Sequence, residues 1–269
     1  MGNRKNTALA TAGKGNEDRQ FVRALVRGLD VLKAFRAEEG GLSNAQIAQR
    51  TGFPKPTVSR LTFTLLSLGY LHLDENSGRY SLHPHILTLG FPVLKQLSIR
   101  EIARPLMQEL ADQCGGAVSL GVRDGPNMIV IERARHSSMT SVPLDIGIGR
   151  EIATSAIGRA YLVSLGDPAR EKLLDELAAN YGDQWPSLIR AIEDTITHFN
   201  KFGFTVSAGD WFADYNAVGV PLTLADGTHL AFNCGGASRR ITVDQLPTLG
   251  NKLVDMVTQL ARTQDVKAA

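Results

Sequence analysis

Residues Ser43 to Tyr70, SNAQIAQRTGFPKPTVSRLTFTLLSLGY, read as two short helices set at an angle, the second presenting a polar, basic face. Ser43 and Gln46, three residues apart, make a capping box that satisfies orphan N–H groups at a helix start. Gly52, just past Thr51, suits the left-handed position that stops that helix. Pro54 and Pro56 mark the turn, and Pro56 fits the first position of the second helix, where a missing N–H costs nothing. Val58, Leu61, Leu65 and Leu68 follow at helical spacing as a buried stripe. The opposite face carries Pro56, Ser59, Arg60, Phe63 and Ser67, with Lys55 near the helix start, as an element entering a DNA major groove would.

An αα-hairpin with a polar outer face occurs in ordinary helical domains, so the flanking sequence has to discriminate. Upstream, Val22, Leu25, Val26, Leu29, Leu32 and Phe35 predict an amphipathic helix able to pack behind the pair. Downstream, Tyr70 to Asp74 and Arg79 to Leu82 predict a β-hairpin around the turn cluster Glu75-Asn76-Ser77-Gly78. Three helices and a hairpin make the winged variant of the motif. Such a wing sets Arg79 and the Asn76 to Gly78 backbone along phosphates or toward the minor groove.

Charge divides the chain in the same way. Residues 1–100 hold 14 Lys and Arg against 7 Asp and Glu, whereas residues 101–269 hold 15 against 20. A basic front is the footprint of a phosphate binder, which the overall net charge of +2 conceals. Part of the excess, Arg4, Lys5 and Lys14, lies in a polar leader up to about Gln20 that reads as disordered. At 269 residues and 43% hydrophobic content the chain suffices for two domains with real cores. No run of about 18 apolar residues and no signal-peptide stretch occurs, so no membrane partner is expected. Cys114 and Cys234 make neither a disulfide framework nor a zinc site, and a reducing cytoplasm is the simplest compartment. His83-Pro84-His85 reads as a surface loop, so no metal is expected.

Pro84 to Leu97 is apolar enough for a helix, and Ser98-Ile99-Arg100-Glu101 reads as a second capping box opening a helix toward Cys114. Pro105 implies a kink there or a later start. Ile86, Leu89, Phe91, Val93 and Leu94 exceed what a spacer needs, which suggests a dimer contact serving a two-fold operator. Beyond Gly116, strands are expected at Ala117 to Arg123, Asn127 to Ala134, Phe204 to Ser207, Asn216 to Leu224 and Leu230 to Cys234. Helices are expected at Ser155 to Leu165, Pro168 to Ala179 and Pro186 to Phe202, with a closing helix through Leu246, Leu253, Val257 and Leu260. No glycine-rich phosphate fingerprint is present, so no cofactor is expected. The fold class is α+β, an antiparallel sheet flanked by helices.

From Phe21 onward the chain resembles the IclR family of bacterial transcriptional regulators. The resemblance rests on Arg27-Gly28-Leu29-Asp30-Val31-Leu32, Gly52-Phe53-Pro54-Lys55, Thr57-Val58, Arg60-Leu61, Leu68-Gly69-Tyr70-Leu71 and Gly78-Arg79-Tyr80 with Leu82. In the second domain it rests on Ala156-Ile157-Gly158-Arg159-Ala160, Gly203-Phe204, Val218-Gly219-Val220-Pro221 and Asp226-Gly227. It implies a disordered leader over 1–20, a winged helix-turn-helix DNA-binding domain over 21–83, a helical linker over 84–104, a GAF-like effector-binding domain over 105–263 and a tail over 264–269. It further implies a homodimer or dimer of dimers acting as repressor or activator on double-stranded operator DNA, under the control of a small-molecule effector.

The outer face of the second helix and the wing give Lys55, Pro56, Thr57, Ser59, Arg60, Phe63 and Arg79 as the expected DNA contacts. Carried over position by position, the resemblance assigns Ser155, Ala156, Ser207, Asp210, Ala217, Asn233, Cys234 and Gly235 to the effector. Asn233 stands where relatives often have a small hydroxyl residue and Ala217 adds no polar side chain, which points to a different effector. Phe63, where relatives carry a small residue, either contacts thymine methyl groups or packs against its own first helix or the wing. The effector is expected to be a carboxylic acid, because the loop before Gly158 offers helix N-terminal N–H groups without a dedicated arginine, Arg159 facing solvent as readily as the site. The rival catalytic reading, a Cys234–His229 thiol or an Asp210–Asp214 acid–base pair, fails on spacing: His229 and Cys234 should point to opposite faces of one strand.

Overall fold

The computed structural model describes residues 21–36, 40–138, 146–263 and the backbone of 267–268, so the leader expected over 1–20 lies outside the described residues. The chain divides into two compact units, Met1–Gln96 and Leu97–Ala269, and the division falls within the stretch expected as a linker. Among the described residues no helix is long and apolar enough to cross a membrane.

In the first unit, α1 (Arg23–Lys33), α2 (Asn44–Thr51) and α3 (Lys55–Ser67) precede a hairpin of β1 (Leu71–Asp74) and β2 (Arg79–Leu82). The capping box forms in both directions, with Ser43 N–H donating to Gln46 Oε1 at 2.9 Å and Gln46 N–H to Ser43 Oγ at 3.3 Å. Gly52 stops α2 at φ +72°, a backbone region that glycine enters without steric cost. The hairpin is stitched to the segment before α2 by paired Leu42 and Tyr80 backbone bonds, both 2.8 Å. Val31, Leu42, Ile47, Val58, Leu65 and Leu71 form the core.

Several details of this unit depart from the sequence reading. Only the last turn of α1 meets the core, through Val31 with Leu32, Ala34 and Phe35 around it, while Val22, Leu25 and Leu29 of the expected stripe are exposed. A three-helix core this small seats one turn of α1, not its whole length. On α3, Thr62 is buried where a leucine stripe was expected, and Leu68, at the helix end, is exposed. The Thr62 hydroxyl donates to the Val58 carbonyl at 3.0 Å, so its polar group is satisfied inside the helix and its methyl can pack. Pro54 is the N-cap of α3, which makes Pro56 the second helical residue instead of the first. A short 3-10 turn at Pro84–Ile86 leads into α4 (Leu87–Gln96), on which Leu87, Leu89, Phe91 and Val93 are exposed.

The second unit opens with α5 (Ile99–Cys114), which runs through Pro105 and begins where the sequence placed it, not later. Its expected capping box does not form, because Ser98 is itself helical and offers its backbone carbonyl to Glu101 N–H. The helix start is held instead by Arg100, which donates to the Ile131 carbonyl at 2.7 Å and pairs with buried Glu132 at 3.0 Å. Seven strands follow, β3 (Ala117–Asp124), β4 (Asn127–Arg135), β5 (Gly149–Glu151), β6 (Thr205–Ala208), β7 (Tyr215–Thr223), β8 (His229–Ala237) and β9 (Lys267–Ala268). Their order is β5-β4-β3-β8-β7-β6, with β9 pairing β7, and every pairing is antiparallel. At three and two residues, β5 and β9 are too short to leave a period in the sequence, and β9 falls in the stretch expected as a tail.

Helix α6 (Ala156–Ser164) lies on one face of this sheet, with α7 (Asp167–Tyr181) and α8 (Trp185–Phe202) packed over it through Ile157, Leu162, Leu173, Leu177 and Ile192. Helix α9 (Leu246–Thr263) packs with α5 on the sheet's other side. Close approach of α6 depends on glycines: a Cβ on Gly219 would lie 2.2 Å from the Ala156 carbonyl oxygen, and one on Gly158 2.3 Å from Ile152 Cα. Both obstacles are backbone, so neither can yield cheaply. Gly219→Ala is expected to cost about 2–4 kcal/mol of stability. Denaturant unfolding measures it, and a cost under about 1 kcal/mol would show that α6 tolerates displacement.

Candidate functional site

The outer face of α3 is open to solvent. Lys55, Pro56, Ser59, Arg60, Phe63 and Ser67 are exposed and Thr57 is half-buried. Phe63 is 70% exposed, which disfavours packing against α1 or the wing, one of its two alternatives. Ser59 accepts from Asn44 Nδ2 at 2.9 Å and donates to the Lys55 carbonyl at 3.1 Å, tying the start of α3 to α2. On the wing, Arg79 donates through Nη1 to the Gly41 carbonyl at 2.8 Å, so one end of its guanidinium braces the hairpin. Asp74 closes the wing turn, accepting from Asn76 N–H at 3.0 Å and from the Ser77 hydroxyl, and these bonds hold its carboxyl below the usual range.

On the α6 face of the sheet, strand register brings Ser119, Asn233 and Gly219 side by side, with Ala217 opposite Gly235 in the next rank. Into this face projects Arg150 of β5, 1% exposed and the largest fully buried side chain of the described residues. Its Nη1 donates to Asn233 Oδ1 at 2.8 Å and its Nη2 to Ser119 Oγ at 3.2 Å, and its guanidinium carbon lies 5.3 Å from the Trp211 ring centre. Its Nε has no hydrogen-bond partner, nor has the buried Tyr215 hydroxyl. Among the described residues no carboxylate pairs with Arg150. Burial lowers its pKa, and the charge of Arg133 lowers it further. Burial also raises the Tyr215 phenol. Ala156, Ala217, Tyr215 and Trp211 form an apolar cluster beside these groups. A buried cation with two neutral partners and an unused donor is a poor end state for a protein interior and a good receptor for an anion.

Of the expected effector residues, Ala156, Ala217, Asn233 and Gly235 come together here. The others have partners elsewhere in the domain. Cys234 pairs with Val218, one step out of phase, so its thiol points to the opposite face, against Cys114 at 3.4 Å. Asp210 is engaged by Arg159, which is buried, not solvent-facing: Nη1 meets Asp210 Oδ2 and the Val206 carbonyl, both at 2.7 Å, and Nε meets the Ala153 carbonyl at 3.1 Å. The Ser207 hydroxyl donates to the Thr154 carbonyl at 2.8 Å. Ser155 is the N-cap of α6, accepting from Gly158 N–H at 3.2 Å and donating to the Glu151 carbonyl at 2.5 Å. These groups build the shell that positions α6. The sequence reading did not single out Arg150, Ser119, Trp211 or Tyr215, which make up this buried cluster. Gly149-Arg150-Glu151 is a short stretch without a pattern of its own, and Arg150 pairs with Met128 of β4 across the sheet.

A winged helix-turn-helix with an open recognition face, joined to a sheet domain holding a buried polar cluster, has the plan of a DNA-binding regulator. The family model for the IclR helix-turn-helix domain matches residues 24–75, and that for the bacterial transcriptional regulator IclR C-terminal domain matches residues 91–262. The chain belongs to the IclR family of bacterial transcriptional regulators. It is 40% identical to an IclR family transcriptional regulator of known structure from Brucella abortus, with a TM-score of 0.82 over 94% of this chain and 96% of that one. The HTH-type transcriptional regulator TsaQ1/TsaQ2 of Comamonas testosteroni is 32% identical over 252 residues, 92% of this chain and 88% of the relative. An IclR homologue from Microbacterium hydrocarbonoxydans, crystallised with 4-hydroxybenzoate, shares the fold at 19% identity and a TM-score of 0.69, over 89% and 99% of the two chains. These relatives are regulators, and the rival catalytic pairing does not assemble, since the His229 ring lies near Tyr161 while Cys234 faces Cys114.

The buried cation makes a test of stability. Arg150→Met, which fills similar volume without charge, is expected to leave the ligand-free protein at least as stable as the parent, because uncompensated buried charge opposes folding. A loss of more than about 3 kcal/mol in denaturant unfolding would mean that the guanidinium is a structural pillar through its Asn233 and Ser119 bonds.

Proposed function

We propose that this regulator binds a two-fold operator as a dimer or dimer of dimers, and that a small organic acid bound on the α6 face of its C-terminal sheet controls that binding. The observation that carries the proposal is the fully buried Arg150 guanidinium, which has no carboxylate among the described residues. An acid ligand completes the ion pair there, Nε and the Tyr215 hydroxyl donate to it, and Trp211 and Ala217 cover its apolar part. Arginine suits this role because its planar fork binds a carboxylate at two points. Asn233 then acts through Arg150, holding the fork in place, instead of meeting the ligand as its first partner. That a structural neighbour was crystallised with 4-hydroxybenzoate puts hydroxylated aromatic acids among the first ligands to try.

On the DNA side, Lys55, Pro56, Thr57, Ser59, Arg60 and Phe63 of α3 form the reading face, with Arg60 on guanine or phosphate and Phe63 on thymine methyl groups. Arg79 and the wing backbone track the phosphates. The exposed apolar residues of α4 fit a contact between protomers. Effector control requires only that the ligand favour one of two arrangements, and coupling of about 1–3 kcal/mol changes operator affinity roughly 5- to 150-fold.

Two experiments test the two halves separately. In a footprint of the DNA upstream of the protein's own gene, Arg60→Ala is expected to weaken protection about 10-fold or more at fixed salt, and Phe63→Ala to relax selectivity at one position per half-site. Equal affinity for Arg60→Ala would remove it from the interface. In a thermal-shift panel of aliphatic, keto and aromatic acids, at least one acid is expected to raise the melting midpoint in proportion to the logarithm of its concentration, and Arg150→Met to abolish that rise while keeping the operator footprint. Stabilisation by neutral or cationic compounds alone, or a full response in Arg150→Met, would sink the acid site without touching the DNA-binding assignment.

A further inference from the structure

Outside the effector face, the second unit holds a pair of thiols that neither DNA binding nor the acid site uses. Cys114 ends α5, just before the left-handed Gly115, and Cys234 lies at the middle of β8, their sulfurs 3.4 Å apart. The two differ in access: Cys234 is fully buried, Cys114 only partly. They differ in ionisation as well. The hydrogen bond from Cys234, the Gly116 N–H and the charge of Lys252 lower the Cys114 thiol, against the opposing effect of burial, whereas the same contact and burial push Cys234 well up. The less buried residue is thus the one whose thiol is held nearer ionisation, and the second stands in contact with it, the arrangement of an attacking and a resolving thiol.

We propose that Cys114 and Cys234 are a modification site at which a peroxide-class oxidant forges a disulfide between α5 and β8. The Cys114 thiolate attacks one peroxide oxygen, the O–O bond breaks, and the departing oxygen leaves as water after taking a proton, giving a sulfenic acid on Cys114. The Cys234 sulfur then gives up its proton and attacks Cys114 Sγ, the S–O bond breaks, and the second oxygen leaves as water. Two thiols are oxidised and one peroxide is reduced to two waters. The bond needs the sulfurs to approach from 3.4 Å to about 2.05 Å, a shift of side-chain size. It would close a loop between residues 120 apart in sequence and fasten the helix that opens this unit to the strand whose neighbouring residue, Asn233, holds Arg150.

The test uses the whole chain and hydrogen peroxide as the probe. After titration with peroxide and alkylation, the intact protein is expected to lose two hydrogens, and tryptic peptides 101–123 and 202–239 to appear joined, with dithiothreitol separating them. Its melting midpoint should rise by several degrees, since the link restricts the unfolded chain. Cys114→Ser is expected to abolish the reaction and leave Cys234 unmodified in the folded protein. Cys234→Ala should stop at a sulfenic acid on Cys114 that dimedone traps. Sulfinic or sulfonic acid at Cys114 without a link, links only between chains, or no reaction at peroxide concentrations that oxidise exposed methionines would overturn the proposal. An unchanged midpoint in the linked protein would overturn the claim that the bond fastens α5 to β8.

Discussion

The second domain depends on one close contact, the carbonyl of Ala156 resting on the bare backbone of Gly219. With no side chain at Gly219, the first residue of α6 sits directly on β7, and Thr205 reaches across from β6 to donate its hydroxyl to the same carbonyl at 2.9 Å. From that point the rest follows by connection. Ser155 caps the helix, the chain before it is pinned against Gly158, and β5 is brought alongside β4 with Arg150 turned inward. Arg159 secures the far side by holding the Ala153 and Val206 carbonyls and Asp210 at once. A residue of the family motif thereby acquires a mechanical role, since its guanidinium ties three segments of backbone and loop together.

Arg150 and Arg159 show how two buried arginines in one domain come to opposite ends. Arg159 meets a carboxylate and two carbonyls, so its desolvation is offset and it adds rigidity. Arg150 meets an amide oxygen, a hydroxyl and an aromatic face, which orient it without neutralising it. That difference in partners is what the proposed acid ligand would make good, since an anion beside the guanidinium supplies the charge that the fold itself does not.

Architecture was more legible in the sequence than chemistry. The capping box, the Gly52 stop, the wing turn and the strand runs are local signals, set by backbone needs within a few residues, and they sit where the sequence placed them. Errors arose where a residue's surroundings come from distant chain. On α1 it is Val31, not Leu25 or Leu29, that meets the core of this unit, and which turn is covered depends on neighbours distant in sequence. Ser98 has helical dihedrals and makes no side-chain cap, and the start of α5 is tied down by the tertiary Arg100–Glu132 pair. Arg150 was invisible for the same reason, since three residues of strand carry no period and its partners lie 31 and 83 positions away.

Strand β8 shows why a single residue of phase matters so much in this fold. Asn233 and Cys234 are neighbours in sequence, yet the pleat sends one toward Arg150 and α6 and the other toward α5. An assignment of both to one pocket treats a strand as a line when it is a partition. The partition also transmits: a shift of β8 large enough to break the 2.8 Å bond between Arg150 and Asn233 must alter the packing of Cys234 on α5, because both side chains hang from the same stretch of backbone and close-packed interiors do not absorb such shifts independently. Strand β8 is therefore the element that the proposed acid site shares with α5, the first helix of the second unit.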